Sequence, residues 1–214
     1  MRNMDYTKNS PWTEEQIKSS LQENLNPHRY QHVLGVVKAS EMLALCHGAD
    51  PEKARIAALY HDVLKSQKPQ WLTDYLKAHG EVPGELALAP SVLHAPAGAL
   101  YAEHTGGVTD PEILFAIRYH TTGRPQMGTL EKIIYLADLI EENRSYDGVE
   151  VLRSLARDDL DRAMLAALEQ SIRYLLHRKE HILLISVEAR NAFLNQLKER
   201  MTGEKSHDEK LAEN

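Results

Sequence analysis

The chain has 214 residues, 43% hydrophobic and 26% charged, with a formal charge of −6, which is ordinary globular composition and enough length for one domain, or at most a small pair, around a sizeable core. The negative balance argues against a protein held to nucleic acid by a general basic surface, while leaving room for a small anion in a local cationic pocket. The single Cys46 excludes an intrachain disulfide and a thiolate-rich zinc site, and points to the reducing cytoplasm.

Residues 1–12 carry no apolar signal-like run and are expected to be an N-terminal extension. Thr13 and Gln16 have capping-box spacing, so a helix is expected over 13–24. Asn26-Pro27, Asp50-Pro51 and Asp110-Pro111 each place a capping side chain before a proline suited to the first helical turn. They predict helices over 27–47, 51–61 and 111–121, with further helices over 69–79, 96–104, 129–143, 159–179 and 184–201. Gly48 and Gly80 stand where helices should stop. The stretch 81–97, with Pro83, Gly84, Pro90 and Pro96, reads as an irregular connection, and 203–214 as a polar disordered tail. No alternation of useful length indicates a strand, and no apolar run reaches the roughly 20 residues of a membrane span. The expected fold is all-α, a single compact bundle over 13–202.

Several polar residues fall where these helices should be apolar. His32 shares a face with Val36, Ala39 and Leu43, and His61 continues the row Ala54, Ala57, Ala58, with Asp62 directly after it. His120 lies in line with Ile113, Ala116 and Ile117. Asp138 is surrounded by Tyr135, Leu136, Ala137, Leu139 and Ile140. A buried carboxylate needs a cation, and none stands at 134, 135, 141 or 142. One metal ion would satisfy His32, His61, Asp62 and Asp138 together. Imidazole and carboxylate suit iron, manganese or zinc, with magnesium also accommodated, as one or two ions. Such an ion lowers the pKa of water and favours hydrolysis, and His94 and His120 are spare groups beside it. Cys46, on the same stripe as His32, reads as a small buried hydrophobe. His47, His79, His104, His177 and His207 show no comparable arrangement.

The order His32, His61-Asp62, Asp138, within the segments RYQH (29–32), LYHDVLK (59–65), LHAPAGA (93–99), IRYHTTG (117–123) and YLADLIEENR (135–144), resembles the HD-domain superfamily of metal-dependent phosphohydrolases, in its YqeK-type branch. The likeness covers about residues 27–180. It implies an HD-domain helical bundle that carries iron and cleaves diadenosine tetraphosphate symmetrically to two ADP. It also implies His32, His61, Asp62 and Asp138 as metal ligands, with Arg29, Lys65, His94, His120, Thr121 and Arg144 around the nucleotide. Lys65 and Arg144 suit phosphate, and an imidazole of near-neutral pKa at His94 or His120 suits proton donation to the leaving oxygen. Val63-Leu64 departs from the branched residue and alanine usual there. Another nucleotide substrate, such as a deoxynucleotide or a guanosine alarmone, a non-catalytic sensor of nucleotide or metal, and a homodimer all remain compatible with the sequence.

Overall fold

In the computed structural model, residues 11–212 are described, with side chains to 202; most of the expected extension and the side chains of the expected tail lie outside them. The described chain is helical: α1 Glu14–Asn24, α2 Pro27–Cys46, α3 Pro51–His61, α4 Pro69–Ala78, α5 His94–His104, α6 Pro111–Tyr119, α7 Thr129–Ile140, α8 Val149–Asp158, α9 Leu160–Arg178 and α10 Leu184–Ala212. Two short 3₁₀ turns, Gly84–Leu88 and Pro90–Val92, occupy the irregular connection.

The helix starts follow from local chemistry. Thr13 and Gln16 cap α1 reciprocally, the Asn26 side chain accepts from Arg29 N at 2.9 Å, and Asp50 and Asp110 accept from the backbone at the second position of α3 and α6. Each satisfies a donor that the helix leaves without an internal partner. Gly48 and Gly80 adopt φ of +65° and +80° just past the ends of α2 and α4, the left-handed geometry that a side chain resists. One helix, α8, is not foreseen. It begins after Gly148 at φ +90° with no capping side chain, so the usual start signal is missing. The last helix runs through Ala212, past the expected end at 201.

Helices α2, α3, α6 and α7 pack on one another and α9 covers α7, with α10 outside it. Ala54, Ala57 and Ala58 of α3 are fully buried, and these small side chains let neighbouring helices approach closely. The core between the helices is filled by Val33, Val36, Leu43, Ile117, Ile133 and Leu136. Cys46 is exposed, contrary to expectation: the last turn of α2 extends the stripe of His32 beyond the helices that bury it. Among the described residues no helix is long and apolar enough to cross a membrane.

Candidate metal centre and anion pocket

Five elements deliver polar side chains to one end of the α2–α3–α6–α7 core. His32 comes from the second turn of α2, His61 from the end of α3, Asp62 as its C-cap, His94 from the first residue of α5, His120 as the C-cap of α6, and Asp138 from the last turn of α7. His120 thus sits just beyond its helix rather than within it. His32, His61, Asp62, His94 and His120 are all buried.

The imidazoles share one orientation. Nδ1 of His61 donates to Ala58 O at 2.6 Å, that of His94 to Ser91 O at 2.8 Å, and that of His120 to Ile117 O at 2.7 Å. In each case the acceptor is the carbonyl three residues earlier. A carbonyl can only accept, so the ring proton is on Nδ1 and the Nε2 lone pair points inward. His32 is fixed in the same sense by a carboxylate, Glu141 Oε1, at 3.2 Å from its Nδ1.

The inward atoms then face other acceptors. His32 Nε2 lies 3.0 Å from Asp138 Oδ1 and 3.8 Å from Asp62 Oδ2. His94 Nε2 lies 3.1 Å from Asp62 Oδ1 and 3.2 Å from His120 Nε2. His32 Nε2 and His61 Nε2 are buried with no hydrogen-bond partner. Lone pairs and carboxylate oxygens directed at one another call for a cation between them. Two overlapping groups have ligand atoms within 4.8 Å of one another and could hold one: His32, His61 and Asp138, and His61, Asp62 and His120. The donor set is nitrogen and oxygen only, which suits a divalent transition ion, and each ring is already oriented through its other nitrogen, as ligating histidines require.

Burial pushes the His61 and His94 imidazoles down to about 4, so both are neutral bases at neutral pH. Burial would raise the Asp62 carboxyl, but the positive charge that neighbouring imidazoles, His61 first, take up in acid outweighs it and holds Asp62 well below its ordinary range. Asp138 is lowered in the same way, with His32 and His61 overcoming its burial.

Cations stand around this core. Arg29 Nη1 donates to Asp62 Oδ2 at 2.9 Å. Arg144 Nη2 donates to Asp138 Oδ1 at 2.6 Å and its Nε to Asp138 O at 2.8 Å, rather than pairing with Glu141. Lys65 Nζ lies 3.3 Å from His94 Nε2, and burial lowers its pKa. Thr121 follows His120 directly, and its buried hydroxyl has no partner. It lines a cavity of about 260 Å³ with Val92, Pro96, Arg118 and Ile185.

One contributor is missed by sequence reasoning. Glu141, 2% exposed, orients His32 and accepts from Asn143 N at 2.7 Å and from Asn143 Nδ2 at 3.1 Å. A Cβ on Gly35 would collide with Glu141 Oε2, so that glycine makes room for the carboxylate. The sequence signal is a glycine in mid-helix one turn after His32, where glycine otherwise costs stability.

Comparison with known proteins agrees with this geometry. The HD-domain family model matches residues 29–143, from Arg29 to just past Glu141. A Halalkalibacterium halodurans protein named symmetrical bis(5'-nucleosyl)-tetraphosphatase is 42% identical over 159 residues, covering 74% of this chain and 85% of the relative. A Bacillus subtilis protein of the same name is 38% identical over 169 residues, covering 78% and 90%. The crystal structure of a "predicted HD superfamily hydrolase involved in NAD metabolism" from Clostridium acetobutylicum superposes with a TM-score of 0.85 at 37% identity, covering 87% of this chain and all of that one. The chain belongs to the HD-domain family, in the branch whose curated members are named symmetrical bis(5'-nucleosyl)-tetraphosphatases.

Proposed function

We propose that the chain hydrolyses diadenosine tetraphosphate at its central bridge, giving two ADP, and that His32, His61, Asp62 and Asp138 hold an iron ion, with His120 close enough to join them. The observation that carries the reading is the convergence of unpartnered imidazole nitrogens and carboxylates beside Lys65, Arg29 and Arg144. The substrate comes from the names of the relatives.

A metal ion held by this set supplies Lewis acidity, which lowers the pKa of water and neutralises phosphate charge. The protein's own groups do the rest. Asp62, anionic and at the centre of the cluster, accepts a hydrogen bond from the attacking water and turns its lone pair toward an inner phosphorus. The water oxygen bonds to that phosphorus, the bridging bond on its far side breaks, and ADP departs with the bridging oxygen. Phosphoryl transfer needs chiefly positioning and charge neutralisation. Lys65, Arg29 and Arg144 serve those ends by binding phosphate oxygens, and Thr121 offers its hydroxyl at the pocket wall. His94 and His120, with inward Nε2 lone pairs, take up the proton of the attacking water, and one of them returns it to the departing oxygen.

The test is chromatography of the products of diadenosine tetraphosphate, with elemental analysis of the same purified protein. ADP as sole product, iron in the protein, and loss of both turnover and metal in Asp62→Ala are expected. ATP with AMP as products, or inorganic phosphate released only from other nucleotides, would assign a different hydrolase. Full metal with no turnover on a nucleotide panel would make the protein a sensor.

A further inference from the structure

Four aromatic rings form a continuous ladder along α4. Trp71 stacks on Tyr75 with centroids 5.0 Å apart and planes at 15°. Tyr75 is 4.3 Å from His79, and His79 is 4.9 Å from His104 at the end of α5. The first three follow i, i+4, i+8 spacing and so share one face of the helix.

At the carboxyl end of α4, His79 meets His104, the last residue of α5. Four residues before α4, Lys65 reaches His94, the first residue of α5. Trp71 stands in the first turn of α4, on the side from which the chain leads back to Lys65 and Asp62. Six residues separate it from Lys65, at most about 20 Å of extended chain. The turn bonds Lys65 N to Asp62 O and Gln67 N to Leu64 O draw it closer.

Trp71 keeps 42% exposure even with Tyr75 against one face, and exposed Lys68 lies between it and Lys65. An open indole supported from behind by a second ring suits base stacking, and Lys68 and Lys65, which precede it in the chain, suit phosphates. Central cleavage of a dinucleoside tetraphosphate requires an ADP arm on each side of the scissile bond, and each arm ends in a purine.

We propose that Trp71, backed by Tyr75, stacks the adenine of one of the two ADP arms, with Lys68 on the phosphates of that arm. This rests on the proposed activity. Trp71 touches neither the reacting atoms nor the metal ligands, so it acts by holding the dinucleotide in place.

The experiment compares diadenosine tetraphosphate with inorganic tetraphosphate, which has the same bridge and carries no base. Removing a stacked base partner weakens binding by about 1–3 kcal/mol. In Trp71→Ala the ratio of kcat/KM for the dinucleotide over inorganic tetraphosphate should fall about tenfold or more, through KM, and Trp71→Phe should recover most of it. As a readout independent of turnover, the dinucleotide added to metal-free Trp12→Phe protein should quench Trp71 fluorescence more than inorganic tetraphosphate does. An unchanged ratio together with equal quenching would overturn the platform. If the unaltered protein cleaves neither compound, the proposed activity fails instead, and the fluorescence comparison still decides the platform.

Discussion

Glu141 Oε1 and His32 Nδ1 lie 3.2 Å apart in a buried hydrogen bond that spans 109 residues of chain. It fixes the His32 tautomer and so turns Nε2 toward Asp138. Partners of this kind typically govern metal affinity by about 10–100-fold. Glu141→Ala should weaken metal binding within that range, measured by competition with a calibrated chelator, while Glu141→Gln, which keeps an acceptor oxygen, should lose less. Unaltered affinity in Glu141→Ala would remove Glu141 from any part in the centre.

Gly35 tests the same relationship from the opposite helix. Its Cβ would strike Glu141 Oε2 and sit 3.1 Å from Cδ, where no open space remains. Gly35→Ala should cost about 1–3 kcal/mol by overpacking, despite alanine's better helix propensity, and should also weaken metal binding. Denaturant unfolding in chelator separates the two effects. A stabilised variant with intact affinity would mean that Glu141 moves aside freely.

The metal-free protein should lose stability as the solution is acidified. His61 and His94 titrate near 4 in the folded state and at about 6.5 when unfolded. Below 6.5 the unfolded chain binds protons that the folded one refuses, so the stability present above that pH is lost as it falls toward 4. The loss is at most about 3 kcal/mol for each group. Asp62 and Asp138, held below their ordinary range, add theirs only below about 4. Unfolding midpoints in chelator across pH 7 to 4.5 check this, and a flat profile would contradict the buried neutral imidazoles.

Away from the centre, Glu131 is a buried carboxylate that accepts from Arg124 at 2.7 and 2.8 Å and from Gly128 N at 2.7 Å. Arg124 also lies 5.3 Å from the centroids of both Phe115 and Tyr119. Arg124→Ala should cost about 2–4 kcal/mol, because it strands a buried charge, and adding Glu131→Gln should recover part of that. Thermal unfolding of the single and double variants decides it. A double variant weaker by the full sum of its parts would show that the two residues act independently.

The helix starts were legible because the signal is local: an Asn or Asp side chain before Pro caps its own backbone at 27, 51 and 111. The convergence of His32, His61, Asp62 and Asp138 was legible for a related reason. A polar group on an apolar stripe conflicts with its own helix and so announces a partner elsewhere. Glu141 was not legible, since it opens the polar run Glu141-Glu142-Asn143-Arg144 at the end of α7 and its burial depends on Gly35 in another helix. The exposure of Cys46 was hidden in the same way: helical phase says which way a residue points, and only packing says whether anything lies there. Helix α8 lacked a capping side chain, and its start after Gly148 depends on a left-handed backbone.

Three of the four inward-facing histidines, His61, His94 and His120, are aimed by the carbonyl three positions back in their own segment, whereas His32 depends on a residue 109 positions away. Most of the centre is therefore insulated from drift in the surrounding bundle. A substitution in a neighbouring helix can shift one of those three rings by a fraction of its width, but it cannot turn the ring over or change which nitrogen it presents. The cluster could be carried through extensive divergence as short self-orienting pieces, with His32 and its distant carboxylate as the pair that has to change in concert.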